Sequence, residues 1–392
     1  MAPLPPSSTL PYLRPDLAQM VGYTPNPGHG AATIAPEAVD HLDTNECPYD
    51  LPPLLKDKLA HFFQHHLFNN RYPDGSHGDL KGELAAYVME SAGQPLTVTA
   101  DHLTVGNGSD ELIRSLIIAT CVGGSGAVGV AEPTFSMYGI IAETLGVPVR
   151  RCGRSSATFA LDLESAQTLL QPAEGPPLRL LFMVHPNSPT ATALREPEIE
   201  WLRQVPPEVL VVIDEAYFEF SQTSLVAEAL TRPNWIILRT FSKGFRLAAQ
   251  RVGYGIGDPQ LIATLERVRL PYNLPTFAQQ AALVALQHRQ DLLACVPDLL
   301  QERQRLHQAF SQWSALQVFP SDANFLFVQL AAGSVPAEIA GETLAQLCQA
   351  MQHQGTLIRH TGGGLRITVG SPEENDRTIS RLLQALKGQG LA

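Results

Sequence analysis

Residues 235–257 read WIILRTFSKGFRLAAQRVGYGIG. An apolar run, WIIL, leads into Arg-Thr-Phe-Ser-Lys, and after a short polar turn a second apolar run, RVGYGIG, begins. Both runs have strand length and carry β-favouring side chains. Between them sits Lys243, the only lysine between Lys81 and Lys387, in a span where every other basic side chain outside the histidines is arginine. An ammonium can lose its proton, act as a nucleophile and form an imine with a carbonyl, which a guanidinium cannot do. A surface lysine in an arginine-biased chain is the plainer explanation, so its neighbours decide.

Outward from this stretch the pattern repeats. HLTVGNG, GAVGVAEP, LRLLFMVHP and EVLVVIDEAY are further short apolar runs, and helical patterns separate them. Strands alternating with helices predict an α/β fold with a mostly parallel sheet covered on both faces. Residues 1–40, rich in Pro, Gly, Ser and Thr, read as an irregular arm. Residues 41–285 read as a large domain, whose first segment could instead join the smaller one. The texture changes after Pro275, where TFAQQAALVALQHRQDLLACVPDLLQERQRLHQAFSQW reads as one long helical stretch. Residues 286–392 then form a smaller α+β domain ending in the capped helix SPEENDRTISRLLQALK.

Bulk properties narrow the function. A length of 392 residues with 44% hydrophobic and 17% charged residues describes a globular protein with a large core. A formal charge of −11 argues against nucleic acid as a partner. No apolar run reaches membrane-spanning length, and the proline-rich start lacks a secretory signal, so the cytoplasm is the expected location. The five cysteines are scattered and form no C-x-x-C pair, which suits a reducing compartment. His61, His65 and His66 invite a metal reading, since histidines at i and i+4 share a helix face, but Phe62 stands where a metalloprotease needs Glu, and no metal is expected. Gly124–Gly129 matches G-x-G-x-x-G in an inverted context, with a helix before it and a strand after it. It reads as a loop entering a strand rather than a dinucleotide site.

Four motifs at strand ends share one explanation. VGNGSDELIRSL opens a helix at Ser109-Asp110, whose free N–H groups suit a phosphate; an ordinary N-cap is the simpler alternative. VVIDEAYFEF places Asp214 at the end of a buried run, where a carboxylate needs a cation, either a structural arginine or a protonated pyridine nitrogen. Tyr217 follows three residues later. Ser242 and Arg251 flank Lys243 and are phosphate-binding types. AEPTFSMYG sets Phe135 and Tyr138 after a strand, where a ring could stack or simply fill the core. Together these supply the separate needs of pyridoxal 5′-phosphate.

The motifs NEC-P, RYPDG, GNGSDE, EPTFSMY, HPNSPT, DEAYFEF, TFSKGFRLA, RVGY and LRITVG follow one another over nearly the whole chain. In this order the sequence resembles the fold-type I, class I and II aminotransferases, most closely the histidinol-phosphate aminotransferase branch. The resemblance implies the pyridoxal-phosphate transferase fold, with a mostly parallel seven-stranded sheet in the large domain, and a homodimer. It implies that Lys243 carries the cofactor and shuttles protons, that Asp214 holds the ring nitrogen and Tyr217 the ring oxygen, and that Phe135 stacks. Gly108, Ser109, Asp110, Ser242 and Arg251 would hold the phosphate, with Tyr72 reaching across from a second subunit. Arg366, with Arg359 beside it, would take the substrate's anionic group, and Tyr23 would line the pocket. Three departures stand out: Ser188 replaces the usual Asn before Pro189, with Asn187 preceding it, so that either Ser188 or Asn187 stands in for the usual contact to the cofactor; Ala191 replaces a Gly; and the loop HTGGG is short. The implied reaction is amino transfer between histidinol phosphate and 2-oxoglutarate, as in histidine biosynthesis. Aromatic or other amino donors, a threonine-phosphate-type decarboxylation and a non-catalytic cofactor sensor are the alternatives.

Overall fold

Seven central strands form one sheet in a computed structural model that describes residues 12–20, 39–171 and 174–391. In chain order they are β1 (Leu103–Asn107), β2 (Ala127–Ala131), β3 (Val149–Cys152), β4 (Leu178–Val184), β5 (Leu210–Asp214), β6 (Trp235–Thr240) and β7 (Val252–Gly257). Their order across the sheet is β1-β7-β6-β5-β4-β2-β3. Only β7 runs against its neighbours; the other adjacent pairs are parallel. Strands β5 and β6 are buried at every position, as expected where helices cover both faces.

The alternation of side chains divides the core in two. Val211, Ile213 and Ile237 pack with Leu84, Val88 and Ala281 of the helices Gly78–Ser91 and Thr276–Gln287. Val212, Leu238 and Phe182 face the other way, onto Leu112, Leu116 and Ile262 of the helices Gly108–Thr120 and Pro259–Val268. Because the parallel strands end on one edge, Asp214 and Thr240 arrive there together. The reversed β7 brings its start, preceded by Arg251, to that same edge.

A second, antiparallel sheet is built from β8 (Leu316–Val318), β9 (Phe325–Leu330), β10 (Arg359–Thr361) and β11 (Gly364–Thr368), in the order β10-β11-β9-β8. The segment after residue 39 is anchored to this part. Asp40–His41 pairs with Thr356–Leu357, and buried Asp40 accepts from Arg377 and Arg381, each at 2.6 Å. From there the chain crosses to the edge of the large sheet.

Two expectations are corrected. The long helical stretch after Pro275 is three helices, Thr276–Gln287, Arg289–Leu293 and Val296–Phe310. His288 leaves helical geometry at ψ 25°, and Pro297, which lacks an N–H, sits in the first turn of the last helix, where that lack costs nothing. The arm is not wholly irregular: Pro15–Gln19 is a short helix, and Arg14 donates to Thr144 O at 3.0 Å. Gly124–Gly129 does lead into a strand, β2. Among the described residues no helix is long and apolar enough to cross a membrane.

Candidate active site

A cavity of about 270 Å³ lies at the carboxyl edge of the large sheet, where the small sheet and the 43–47 segment meet it. Ser109, Asp110, Phe135, Ser188, Asp214, Tyr217, Ser242, Lys243, Arg251 and Arg366 all line it. Positions spread over more than 250 residues thus converge on a single space.

Lys243 Nζ donates to Thr44 O at 2.6 Å. Burial lowers its pKa to about 8, and the nearby positive charges of Arg366 and Arg251 push the same way. Asp214 is 3% exposed. Its oxygens accept from Tyr138 Oη at 2.6 Å and from Ala216 N at 3.1 Å, and no cation among the described residues pairs with it. Burial raises its pKa to about 6, although the Tyr138 hydrogen bond pulls the other way. The structural-arginine reading of Asp214 is therefore set aside. The arrangement fits a ligand with a carbonyl carbon for the amine and a protonated ring nitrogen for the carboxylate. A pyridine N–H⁺ would remove the cost of the lone buried charge.

Tyr138 has a different place from the one its position suggested. It is fully buried, stacks on Phe182 at 4.4 Å and holds Asp214 through its hydroxyl. Phe135, edge-on to Tyr138 at 5.4 Å, is the aromatic ring with open surface toward the cavity. Tyr217 Oη accepts from Asn45 Nδ2 at 2.9 Å, and its ring meets Phe325 edge-on at 5.1 Å.

A polar cradle closes one end. Arg251 pairs with Asp110 at 3.1 Å, and its Nη1 donates to Ser242 Oγ at 3.4 Å. Thr240 Oγ1 donates to the same Ser242 oxygen at 2.9 Å. The helix Gly108–Thr120 begins here with Gly108 at φ 73°, and a Cβ on Gly108 would lie 2.6 Å from Arg251 Nη2. On β7 a Cβ at Gly253 would lie 2.5 Å from Ser109 N, so both glycines are required for the helix start to approach the strand. Free N–H groups, a hydroxyl and a guanidinium at one helix start are suited to a phosphate.

The opposite wall carries Arg366. Its Nη1 donates to Ser188 Oγ at 3.1 Å, its Nη2 to Asp43 O, and its guanidinium lies 5.7 Å over Phe325. The Asn187 amide is turned away from the cavity, toward Thr134, Thr190 and Pro133 O. Arg359 faces Arg366 across the β10–β11 pair, so both side chains leave the same face of the small sheet, but Arg359 does not line the cavity. Tyr72 is 81% exposed and stacks on Tyr272 at 4.7 Å, away from this chain's cavity. Tyr23 lies outside the described residues.

Sequence reasoning missed the roles of Thr44, Asn45, Glu46 and Thr240, all of which bond to or line the site. The NEC-P motif was the available signal, but local spacing could not show that it meets Lys243 and Tyr217.

The sequence pattern described as aminotransferase class I and II matches residues 39–382. The chain is 55% identical over 378 residues to histidinol-phosphate aminotransferase 2 of a Nostoc species, covering 96% of this chain and 98% of that one. It is 56% identical over 377 residues to the histidinol-phosphate aminotransferase of Synechococcus elongatus, with the same coverage. Among solved structures, the histidinol-phosphate aminotransferase of Sinorhizobium meliloti in complex with pyridoxal-5′-phosphate shares the fold. Its TM-score is 0.79 at 19% identity, over 98% of this chain and 100% of that chain.

Proposed function

The chain belongs to the aminotransferase class I and II family and is a transaminase; we propose that it uses pyridoxal 5′-phosphate to move the amino group of histidinol phosphate to 2-oxoglutarate, a step of histidine biosynthesis. One observation carries the cofactor reading: Lys243 and Asp214 face a single cavity, and burial moves each toward its neutral form. The full-length relatives named above support the choice of donor.

When bound, pyridoxal phosphate supplies an aldehyde for amine exchange and a ring that accepts electrons from the substrate Cα. Ser109, Asp110 and the helix start, with Ser242 and Arg251, would hold its phosphate, and Thr240 keeps the Ser242 hydroxyl in place. Asp214, fixed by Tyr138, would accept the ring N–H and hold its positive charge. Tyr217, oriented by Asn45, would hold the ring oxygen, and Phe135 would cover one ring face. Lys243, whose pKa burial brings down to about 8, gives up its proton far more readily than a free lysine and is placed to take the Cα proton and return it. Ser188 acts on the substrate side in this reading, since its hydroxyl braces Arg366. Arg366 would bind the donor's phosphate, with Arg359 leaving the same sheet face; a dianion makes fuller use of two guanidinium groups than a carboxylate does.

The proposal includes a homodimer. Leu54, Phe63, Phe68, Tyr72, Leu270 and Tyr272 are exposed apolar or aromatic side chains on segments that adjoin one another. A patch of this kind commonly marks an interface, and Tyr72 of each chain would complete the phosphate site of the other. Mixing Tyr72→Phe with Lys243→Ala chains should restore activity, because a heterodimer holds one site free of both defects. No recovery under verified subunit exchange would remove the shared site.

A donor screen on the purified protein decides the substrate. Histidinol phosphate should be preferred, with glutamate formed from 2-oxoglutarate. Arg359→Gln should cost about 1.5–3 kcal/mol in kcat/KM for phosphorylated donors and less for others. Release of carbon dioxide, or a preference for plain aromatic amino acids, would reject this donor and keep the fold.

A further inference from the structure

Tyr72 opens a short turn, residues 72–77, that lies outside this chain's own cavity and is held at several points. Asp74 folds the turn on itself, accepting from Ser76 N at 2.9 Å and from Gly78 N at 3.2 Å. Buried Gln279 donates to Asp74 O at 3.0 Å, and Arg269 Nη2 donates to Gly75 O at 2.5 Å. Arg269 begins a second turn, 269–273, whose Tyr272 ring stacks on Tyr72 at 4.7 Å. A Cβ on Gly75 would lie 3.3 Å from that same ring. Tyr272 holds φ 55°, a left-handed conformation that an aromatic residue seldom adopts, so its surroundings fix where the ring stands.

Arg269 is itself fixed. Its side chain is 11% exposed, its Nε and Nη2 meet Glu266 Oε2 at 2.9 and 2.8 Å, and its Nη1 donates to Asn273 Oδ1 at 3.2 Å. A buried guanidinium with three partners thus spends one of its N–H groups on the backbone of the turn that carries Tyr72.

On the shared-site reading of Tyr72, we propose that Arg269 is a positioning residue for the other subunit's active site: it holds the 72–77 turn so that the Tyr72 hydroxyl reaches the phosphate bound by the partner chain. An exposed tyrosine that must order itself on binding loses conformational entropy, and a turn fixed in advance removes that cost.

A competing route runs inward. Asn273 Nδ2 donates to Glu111 Oε2 at 2.9 Å, and Glu111 accepts from Asn107 N at the start of the helix that cradles this chain's own phosphate site. Two observations favour the outward route. Arg269 bonds the Tyr72 turn directly, whereas two side chains separate it from Asn107. Asn273 Nδ2 is also held by Val105 O at 3.0 Å, so Glu111 keeps its partner when Arg269 is replaced. Glu266 keeps its partners too, because Thr104 Oγ1 lies 2.7 Å and Lys81 Nζ 3.2 Å from its other oxygen.

The test begins with cofactor-free homodimers titrated with pyridoxal 5′-phosphate and read by equilibrium dialysis. Arg269→Gln and Tyr72→Phe should each raise the dissociation constant about 10-fold, the scale of one hydrogen bond to a charged group. The double variant should lose no more than Tyr72→Phe alone, since the arginine acts through that hydroxyl. Heterodimers purified through two affinity tags then separate the routes. One chain carries Lys243→Ala, so only the site with the other chain's lysine turns over, and that site uses the Tyr72 of the Lys243→Ala chain. Arg269→Gln on the Lys243→Ala chain should raise the cofactor concentration for half-maximal activity by the same factor. On the lysine-bearing chain it should leave that concentration unchanged. Tyr72→Phe, placed the same two ways, is the control for the shared site. Arg269→Lys, which keeps a charge beside Glu266, should give the same pattern at smaller size, and it decides the matter if melting shows the Gln variant to be damaged. If Tyr72→Phe does not act across the dimer, the shared site falls and the role of Arg269 falls with it. If Tyr72→Phe acts across while Arg269→Gln acts on its own site, on both alike, or adds in full to Tyr72→Phe, the shared site stands and Arg269 is not its brace.

Discussion

Asp214 and Glu215 are successive residues with opposite fates. At the end of β5 they point to opposite faces of the same sheet, and both are buried. Glu215 meets Arg239 at 2.9 Å, with both side chains fully buried. Its carboxylate also accepts from Ser224 Oγ and Leu225 N, and Arg239 spends its remaining N–H groups on Ser224 and Ser91. Asp214, on the cavity side, has a tyrosine hydroxyl and one backbone N–H but, among the described residues, no cation. Lys243, four residues beyond Arg239, likewise faces the cavity and donates to a carbonyl. One face of the sheet holds a closed ion pair, the other two opposite charges kept apart around a space. The first arrangement is internally compensated; the second leaves two groups whose pKa values, about 6 and about 8, are drawn into the range where proton transfer is easy.

The contrast can be broken by substitution. The largest effect belongs to Lys243→Ala, which should lower kcat by about four to six orders of magnitude, the scale of removing a reaction's central nucleophile. Lys243→Arg should be no better, and borohydride should no longer fix the cofactor to the peptide containing position 243. Attachment to Lys81 in the wild-type protein would refute the assignment.

Asp214→Asn comes next. We expect kcat to fall by about 10²–10⁴-fold, through loss of the group that holds the ring's charge. The cofactor-free variant should be no less stable than wild type, because an amide removes a buried charge that has no cation. Glu215→Gln should do the reverse. Breaking one side of a buried pair costs about 3–5 kcal/mol of stability in denaturant titration, while kcat per folded molecule should change little. If Glu215→Gln removed activity and left stability intact, the two faces would not differ as described.

The smallest effect sharpens the contrast through pH. Asp214 has a folded pKa of about 6 against 3.8 in a free chain, so its contribution to stability is present at low pH and lost as pH rises through 6. Lys243 has a folded pKa of about 8 against 10.5, so the folded state holds fewer protons in that interval and stability recovers as pH rises from 8. Cofactor-free wild type, measured against the Asp214→Asn, Lys243→Ala double variant, should therefore be least stable between about pH 6 and 8. Saturating cofactor should flatten that dip, and a monotonic profile would show that the two charges do not share the cavity as assigned.

Much of the fold was legible because it rests on local regularities. Apolar runs of five to seven residues such as LVVID and LRLLFMV become strands wherever both faces are covered, and the Ser371–Glu374 capping box marks the last helix without tertiary information. The long stretch after Pro275 misled for the same reason: its helical periodicity runs on past His288, and the break depends on backbone geometry rather than on pattern.

By itself the sequence determined the α/β alternation, placed Lys243, Asp214 and Tyr217 just past apolar runs that become strands, and singled out Lys243 as the candidate nucleophile, because it is the only lysine between Lys81 and Lys387. Only the tertiary structure decided what each group touches. Tyr138 donates its hydroxyl to Asp214, 76 residues away. Asn45 meets Tyr217 across 172 residues, and Ser188 braces Arg366 across 178. Thr44 receives Lys243 from 199 residues away. The reason is physical: burial of apolar faces imposes periods of two and 3.6 that can be read along the chain. A polar side chain buried at the junction of two sheets must take whichever partner the packing brings within 3 Å.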